Sequence, residues 1–253
     1  MSGWVTVAGL GPGAEDLVTP EVQAALSEAT DIVGYIPYVA RVTPREGLTL
    51  HASDNRVELD RALQALKMAS EGRRVVIVSS GDPGVFAMAS ALFERLEAAP
   101  EFAETDIRIL PGITAMLAAA ARAGAPLGHD FCAINLSDNL KPFDLIERRL
   151  RHAARGDFSM AFYNPRSKSR PHQFARVLDI LREECEAGRL ILFARAVSTP
   201  EENITVVPLS EARPEMADMR TVVLVGNAST RRVGRWVYTP RGTVSTTVSA
   251  GTA

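Results

Sequence analysis

Short apolar runs alternate with segments of helical periodicity along most of the chain, and this alternation constrains the fold more than any other feature. The run at residues 74–78 is valine and isoleucine after its first residue, which suits a strand covered by helices on both faces. Further strands are predicted at residues 4–10, 31–34, 107–110, 131–136, 158–162, 190–196, 204–207 and 221–225. Helices are predicted after Thr19, at 57–69 and 85–98, from the turn at 111–112 to 123, and at 144–154 and 172–186. The pattern predicts an α/β fold with largely parallel or mixed sheets.

A change of composition divides the chain into two such halves. Residues 124–130 combine glycine, proline and polar residues without periodicity, which is typical of a domain junction. We therefore predict an N-terminal α/β domain at 1–123, a C-terminal α/β domain at 124–240 and a flexible tail at 241–253. The short connection between Ala196 and Ile204 predicts an antiparallel element in the second domain.

Composition limits the partners that we expect. The net charge of -2 and the pI near 6.1 provide no broad positive field, so neither nucleic acid nor a membrane is a predicted partner. No run of about 18 apolar residues is present. With Cys132 and Cys185 as its two cysteines, the chain offers no disulfide framework and no paired-cysteine metal site, which favours the cytoplasm and predicts no metal site.

The loop after the first strand, Gly9-Leu10-Gly11-Pro12-Gly13-Ala14, formally satisfies the G-x-G-x-x-A dinucleotide pattern. A phosphate cradle needs a helix that opens within the loop, whereas here the helix signal waits for Thr19-Pro20-Glu21. A tight turn that borders a ligand cleft is favoured over the dinucleotide site. A purely structural turn is the remaining alternative.

Two more strand ends carry candidate ligand groups. Asp82, between Gly81 and Pro83, can accept hydrogen bonds from amino or hydroxyl groups or face a sulfonium cation, or it can close an Asx-turn or cap a helix. Thr114 in Pro111-Gly112-Ile113-Thr114-Ala115 can contact a ligand or simply cap the next helix.

The second half offers an acid–base pair and a cationic segment. His129 and Asp130 pair an imidazole with a carboxylate and are the predicted proton-transfer residues, although neighbours in an extended segment point to opposite sides. Ser137-Asp138 follows another strand and either binds a ligand or turns the chain. The segment 162–170 joins Phe162 and Tyr163 to three cations, which suits an adenine edge or an anionic substrate, or a solvated surface.

Taken in order, Val7-Ala8-Gly9-Leu10-Gly11-Pro12-Gly13, Ser80-Gly81-Asp82-Pro83 and Pro111-Gly112-Ile113-Thr114-Ala115 resemble the loops of the tetrapyrrole methyltransferase family. Within it, the segments at 33–38, 124–132, 136–138 and 162–165 look like those of the branch that methylates carbon 17 and contracts the ring. The resemblance covers about residues 4–243. It implies two α/β domains, a homodimer, and S-adenosylmethionine folded in a cleft between the domains, with S-adenosylhomocysteine as product.

The resemblance also implies a reaction in cobalamin biosynthesis, the conversion of precorrin-3B to precorrin-4. Its cofactor-binding positions fall on Pro12, Gly81, Asp82, Val85, Thr114, Ala115, Phe162, Asn164, Ala196 and Thr221. An anionic tetrapyrrole substrate is expected at Tyr35, Arg41, Arg45, Ser137, Asp138, Arg166, Lys168 and Arg170. His129 and Asp130 are the candidate catalytic pair for ring contraction. The family often has glycine near Ser198, so a close backbone contact is in doubt there.

Three alternatives stay open at this point. One is another precorrin or cobalt-precorrin methyltransferase of the same family. The others are an NAD-dependent oxidoreductase built on the first glycine loop and a tetrapyrrole carrier without catalytic activity.

Overall fold

The computed structural model describes residues 3–54 and 57–242. The chain forms two compact units, one of Met1–Ala118 with Ser198–Pro200 and one of Ala119–Val197 with Glu201–Ala253. The domain bounds that we predicted, 1–123 and 124–240, stay predictions. The predicted tail at 241–253 lies, from residue 243 onward, outside the described residues. No helix within the described ranges has the length and apolarity needed to cross a membrane.

The first unit contains a fully parallel five-stranded sheet in the order β3-β2-β4-β1-β5. Its strands are β1 (Trp4–Gly9), β2 (Asp31–Tyr35), β3 (Thr49–Ser53), β4 (Arg74–Ser79) and β5 (Asp106–Leu110). Its helices are α1 (Pro20–Glu28), α2 (Ile36–Val39), α3 (Glu58–Ser70), α4 (Met88–Ala98) and α5 (Ala115–Ala123), the last of which continues into the second unit.

Strand β4 is buried on both faces, as its unbroken valine and isoleucine run predicts. Val75 and Ile77 pack into a core that includes Leu66 of α3 and Leu92 of α4. Residues 76 and 78 alternate onto the opposite face, in a core that includes Val22 of α1. Two apolar layers therefore hold the central strands and fix the positions of the loops that follow them.

Helix α4 begins three residues later than the predicted start at Val85. Phe86 has a left-handed backbone with φ of 54°, which no residue inside a right-handed helix can adopt. Helix α1 has the predicted start: Val22 donates its N–H to the Thr19 hydroxyl at 3.3 Å, and Pro20 occupies the first turn.

The second unit contains a mixed sheet in the order β10-β9-β11-β8-β7. Its strands are β7 (Phe131–Asn135), β8 (Ser159–Tyr163), β9 (Leu190–Arg195), β10 (Asn203–Pro208) and β11 (Thr221–Val225). Strand β10 runs antiparallel to β9, which confirms the predicted antiparallel element, and β11 runs antiparallel to both β8 and β9. Helices α6 (Phe143–Arg155) and α7 (Gln173–Glu184) pack against this sheet around Phe162, Phe174 and Leu178.

A small three-stranded sheet completes the second unit and was absent from the sequence prediction. It joins β6 (Gly124–Ala125), β12 (Arg231–Val233) and β13 (Trp236–Tyr238) in the order β12-β13-β6. Strand β3 in the first unit was missed as well. These segments are short and largely exposed, so they lack the apolar alternation from which strands are predicted.

Candidate functional site

Three glycine-containing loops meet at one edge of the first unit's sheet. They follow β1, β4 and β5, which are neighbours and parallel, so their carboxyl ends lie side by side. Gly11 and Gly81 join two of these loops through a pair of backbone hydrogen bonds, Gly11 N to Gly81 O at 3.2 Å and Gly81 N to Gly11 O at 2.9 Å. Both glycines have positive φ, 67° and 64°.

The same loops approach so closely that side chains are excluded at two positions. A Cβ at Gly9 would lie 2.6 Å from Gly81 O, and a Cβ at Gly112 would lie 2.2 Å from the same oxygen. At Gly81 itself a Cβ would meet Thr114 Cα at 3.5 Å, an ordinary van der Waals distance, so glycine is needed there for its positive φ and not for space. The sequence therefore uses glycine at 9 and 112 for backbone packing and at 81 for backbone conformation.

Asp82 ties two of the loops together through its carboxylate. Its Oδ1 accepts a hydrogen bond from Gly84 N at 2.8 Å, and its Oδ2 accepts one from Gly112 N at 3.1 Å. The Asx-turn that we considered as the structural alternative is present, and the second oxygen adds a link across 30 residues. Asp82 is only partly buried, so one carboxylate can fix both loops and still face a ligand.

The other cofactor positions predicted in this unit lie around the same loops. Thr114 is 4% exposed, and its carbonyl accepts the first hydrogen bonds of α5, from Leu117 N and Ala118 N. Ala115 begins that helix, Pro12 lies in the first loop, and Val85 lies in the turn after Asp82. The structure thus gathers all six predicted cofactor positions of the first half, Asp82 included, at one edge.

Arg41 holds the first glycine loop, residues 9–14, through hydrogen bonds to its backbone carbonyls. Its guanidinium donates to Leu10 O at 2.5 Å, Gly11 O at 3.2 Å and Gly13 O at 3.2 Å. Burial lowers the pKa of Arg41, against the opposing effects of Tyr38 and Glu15. The sequence had suggested a substrate-binding cation here, but the structure gives this guanidinium three partners in the loop.

Arg45 and Tyr35 also have partners inside the first unit. Arg45 Nη2 donates to Leu26 O, Ser27 O and Ala29 O at 3.2, 2.7 and 2.6 Å, and so caps the end of α1. Tyr35 ends β2 and packs edge-to-face on Tyr38, with ring centroids 5.3 Å apart. The substrate roles predicted for these residues stay predictions.

The geometry of the first loop disfavours a dinucleotide site. Leu10 N donates to Ser79 O at 2.8 Å and Gly11 N donates to Gly81 O, so these amides are already bonded. Helix α1 begins at Pro20, well beyond the loop, and its N-terminal amides cannot meet a phosphate held there.

In the second unit, five strand ends share one edge of the sheet. Strands β7, β8 and β9 end there, and β10 and β11, which run in the opposite direction, begin there. This arrangement gathers the predicted residues Ser137, Asp138, Asn164, Ala196 and Thr221 at one edge.

Side-chain hydrogen bonds organise this edge. Asn135, which the sequence analysis did not select, accepts at its Oδ1 from Ser137 N at 2.9 Å and from Asn164 Nδ2 at 3.1 Å. Asp138 Oδ2 accepts from Gln173 Nε2. The one available signal was the position of Asn135 directly before the predicted Leu136-Ser137-Asp138 motif.

Thr221 and Ala196 lie at neighbouring strand ends. The Thr221 hydroxyl donates to Asp218 Oδ1 at 2.8 Å, and Arg195 Nε donates to Asp218 Oδ2 at 2.8 Å. Burial raises the pKa of Asp218, but the hydrogen bonds from Arg195 and Thr221 outweigh it and leave the pKa below its usual value. Ala196 has a left-handed backbone with φ of 49°, and so does Ser198 with φ of 62°, a conformation that explains why glycine suits that position.

The cations of the 166–170 segment differ in their surroundings. Arg170 is 9% exposed, and its guanidinium donates to Leu136 O at 3.4 Å and Asn164 O at 3.2 Å. Arg166 Nε donates to Pro171 O at 3.2 Å, whereas Lys168 is exposed. Arg170 is therefore part of the framework of this edge, and Lys168 is the cation of the segment that faces solvent.

Phe162 does not offer its ring to a ligand. It is 0% exposed in a core that includes Phe174 and Phe193. The aromatic contact with adenine that the sequence suggested has no surface available in this conformation, because the ring is enclosed by its own unit.

His129 and Asp130 lie at the opposite end of the second sheet. They precede β7, and Asp130 O accepts a hydrogen bond from Ser159 N, the first residue of β8, at 3.1 Å. His129 Nδ1 lies 3.7 Å from Asp130 Oδ2, in a surface pocket that Asp157 and Asn227 also line. The edge of the second sheet that carries Asn164, Ala196 and Thr221 is called the Asn164 edge below. The five residues of β7 separate the His129–Asp130 pair from this edge by about 17 Å. Within the second unit, the structure does not bring the predicted acid–base pair together with Asn164, Ala196 and Thr221, and the role of the pair stays a prediction.

Comparison with known proteins places this geometry in a family. The model for the Tetrapyrrole (Corrin/Porphyrin) Methylases matches residues 5–213. A Sinorhizobium protein named precorrin-3B C(17)-methyltransferase is 50% identical over 247 residues, which cover 95% of this chain and 97% of that protein. A Salmonella typhimurium protein named probable cobalt-factor III C(17)-methyltransferase is 35% identical, over 94% of this chain and 98% of its own length.

A solved structure supports the same assignment. The crystal structure of the methyltransferase CobJ is 85% identical, has a TM-score of 0.93, and covers 94% of this chain and 100% of its own. The family match spans most of the chain, and it includes all three loops whose packing is described above. The chain belongs to the tetrapyrrole (corrin/porphyrin) methylases.

Proposed function

We propose that this protein transfers a methyl group from S-adenosylmethionine to carbon 17 of precorrin-3B and contracts the ring to give precorrin-4, in cobalamin biosynthesis. The observation that carries the proposal is the joining of the three glycine-containing loops at Gly9, Gly81 and Gly112, in a chain that shares half its residues with the Sinorhizobium C(17)-methyltransferase. The enzyme is an S-adenosylmethionine-dependent C-methyltransferase.

The residues present fit a cofactor of this kind. Gly81 has a positive φ of 64° and directly precedes Asp82, whose partly buried carboxylate can face an ammonium, a hydroxyl or a sulfonium group. Pro12, Val85, Thr114 and Ala115 would contribute from the first unit, and Asn164, Ala196 and Thr221 from the second. When bound, the cofactor supplies an electrophilic methyl group.

The chain's own contribution is to orient the reactants. Loops held by backbone hydrogen bonds, such as the Gly11–Gly81 pair, need little reorganisation when a ligand arrives. A polycarboxylate macrocycle requires local cations, because the chain as a whole is slightly negative. Lys168 is exposed and suited to that task, while Arg41 and Arg170 act through the loops that they hold.

Ring contraction needs proton transfer at oxygen atoms of the substrate. At the Asn164 edge the Asp138 carboxylate is available for this purpose, held by Gln173. His129 and Asp130 lie at the other edge and do not enter the mechanism that we propose. The variant His129→Ala tests that separation: methylation and contraction should both proceed at the wild-type rate.

Labelled product analysis tests the activity. Incubation with precorrin-3B and a donor carrying a ¹³C methyl group should place the label on carbon 17 of a ring-contracted product, as read by mass spectrometry and NMR, with release of S-adenosylhomocysteine. Label on another carbon would contradict the proposal, and absence of S-adenosylhomocysteine would favour a carrier.

A cobalt-containing substrate is the second candidate, because the Salmonella relative bears the name of a cobalt-factor III methyltransferase. The lower identity to that relative favours the metal-free substrate. Parallel assays with metal-free and cobalt-bearing substrates distinguish the two candidate functions. Turnover of the cobalt-bearing substrate alone would favour the cobalt-factor III activity over the metal-free one.

The proposal includes a homodimer, as the resemblance to the family implies, and a cytoplasmic location, which the low cysteine content favours. Analytical ultracentrifugation of the purified protein and fractionation of the source cells test these two points. A monomer at micromolar concentration would contradict the first, and recovery in the membrane fraction would contradict the second.

A further inference from the structure

We propose that Asn135 is a positioning residue that fixes the side-chain amide of Asn164, so that Asn164 Oδ1 accepts a hydrogen bond from the cofactor. The inference rests on the proposed function, since it names the group that Asn164 presents to S-adenosylmethionine. Asn135 itself lies behind Asn164 and does not touch the ligand.

The orientation of both amides follows from one backbone donor. Ser137 N can only donate, and it lies 2.9 Å from an atom of the Asn135 amide, so that atom must be the oxygen. The same oxygen lies 3.1 Å from the Asn164 amide. The Asn164 atom that faces it must therefore be the NH₂ group, and Asn164 Oδ1 points away from Asn135.

The backbone of Asn164 is fixed independently. Its φ of 53° places it in the left-handed region, which asparagine adopts more readily than most residues. The buried guanidinium of Arg170 donates to Asn164 O at 3.2 Å and to Leu136 O at 3.4 Å, and so joins the ends of β7 and β8. With the backbone held, the hydrogen bond to Asn135 determines which way the amide faces.

The side-chain oxygen of Asn164, Oδ1, is a hydrogen-bond acceptor that remains available to a ligand. Asn164 Oδ1 accepts from no group in the described ranges 3–54 and 57–242, and it lies at the edge where Ala196 and Thr221 also lie. The adenine amino group, the ribose hydroxyls and the ammonium group of S-adenosylmethionine are all donors. An amide turned the other way would present NH₂ to the adenine amino or ammonium group, neither of which accepts a hydrogen bond, and the bond to either group would be lost.

Two substitutions of Asn135 separate positioning from packing. Asn135→Leu keeps the approximate volume and removes the acceptor, and it should weaken the binding of S-adenosylhomocysteine about tenfold, as expected for one lost hydrogen bond. Asn135→Asp keeps an acceptor for both donors and should restore binding to within about twofold of wild type. Affinity is measured by isothermal titration calorimetry at pH 7.

Asn227 supplies a matched control in the same unit. Its Oδ1 accepts from Ser229 N at 2.9 Å and from the Thr230 hydroxyl at 3.2 Å, so it repeats the turn of Asn135 at the opposite edge of the sheet. Asn227→Leu should reduce thermal stability as much as Asn135→Leu does, and should leave the affinity for S-adenosylhomocysteine unchanged. A loss of affinity in both variants would mean that the effect comes from stability alone and would overturn the inference.

A double variant completes the test. If Asn135 acts through Asn164, then Asn164→Ala should weaken the binding of S-adenosylhomocysteine by the same factor as Asn135→Leu. Adding Asn135→Leu to Asn164→Ala should then weaken the binding no further. Additive losses, or wild-type affinity in Asn135→Leu, would also overturn the inference. Failure of the wild-type protein to bind S-adenosylhomocysteine would instead contradict the proposed function, so the two failures are distinguishable.

Discussion

Gly11 and Gly81 donate a backbone N–H to each other's carbonyl across 70 residues of sequence, at 3.2 and 2.9 Å. This reciprocal pair extends the contact between β1 and β4 beyond the strands and into the loops. The loops are consequently part of the sheet's framework, and substitutions that separate them should affect cofactor binding and stability together.

Gly112→Ala tests how tightly the loops are packed. The added methyl group would lie 2.2 Å from Gly81 O and 2.7 Å from Gly9 O, and a shift of backbone is the only relief. We expect a loss of about 2 to 4 kcal/mol in the free energy of unfolding and weaker binding of S-adenosylhomocysteine. Chemical denaturation and calorimetry measure the two effects. Gly188→Ala, where a Cβ meets nothing within 4 Å, is the control, and equal losses in both variants would contradict the prediction.

Asp82→Ala removes the carboxylate that holds Gly84 N and Gly112 N. Both amides lose their acceptor, so we expect a lower melting temperature and at least a tenfold loss of affinity for the cofactor product. Asp82→Asn keeps one acceptor oxygen, so its melting temperature and its affinity for the cofactor product should lie between those of the wild type and of Asp82→Ala. Asp16→Ala, at an exposed carboxylate in the same unit, should match the wild type in both measurements. A wild-type melting temperature for Asp82→Ala would show that the carboxylate does not hold the loops.

Arg170→Lys separates a framework role from a substrate role. Lysine keeps the charge, but it cannot reach Leu136 O and Asn164 O together in the planar geometry of a guanidinium. We expect a loss of about 2 kcal/mol in stability and reduced activity. Lys168→Met, at the exposed cation nearby, should leave stability unchanged and raise the KM for the anionic substrate. Full activity in Arg170→Lys would instead assign Arg170 to the substrate through charge alone.

Glu184 gives a pH dependence that can be measured. Hydrogen bonds from Arg155, at 2.8 Å, and Arg151, at 2.6 Å, lower the pKa of Glu184 from 4.5 to about 2 and join α7 to α6. Because the folded pKa lies below the unfolded one, the stabilisation is complete above about pH 4.5 and disappears as the pH falls towards 2.

The comparison of wild type with Glu184→Gln tests this linkage. The difference in melting temperature should be constant between pH 5 and 7 and should shrink progressively below pH 4.5. Added salt should reduce it as well, since both partners reach the surface. A difference that stays the same down to pH 3 would show that the ion pair contributes nothing to stability.

The sequence predicted the framework of the fold well where burial is strong. The run at 74–78 and its neighbours are covered on both faces, so their apolar pattern is unambiguous, and the glycine loops were recognised as the segments that follow the strands. Strand β3 and the β12–β13 pair are stabilised by backbone pairing at an exposed edge. Pairing of that kind depends on partners distant in the chain and leaves little trace in local composition.

Side-chain roles were harder to predict, because a sequence does not show which carbonyl groups surround a cation. Arg41 was expected to bind a substrate carboxylate; the structure shows that its guanidinium also donates to three carbonyls of a loop about 30 residues away, and the substrate role stays a prediction. His129 and Asp130 were selected because they are adjacent, but the direction of β7 places them at the far edge of their sheet. Asn135 was overlooked because its importance comes from the orientation that it gives to Asn164.

The segment Ser198–Pro200 belongs to the first unit although the residues on either side of it belong to the second, and this has a practical consequence for engineering. A Cβ at Gly13 would lie 2.6 Å from Thr199 and 2.8 Å from Ser198 O, so the first glycine loop is packed against a piece of chain synthesised some 185 residues later. A single proteolytic or genetic cut between the units would leave this loop without its packing partner. Split versions and nascent chains of this protein should therefore acquire a finished first loop only after residue 200 is available.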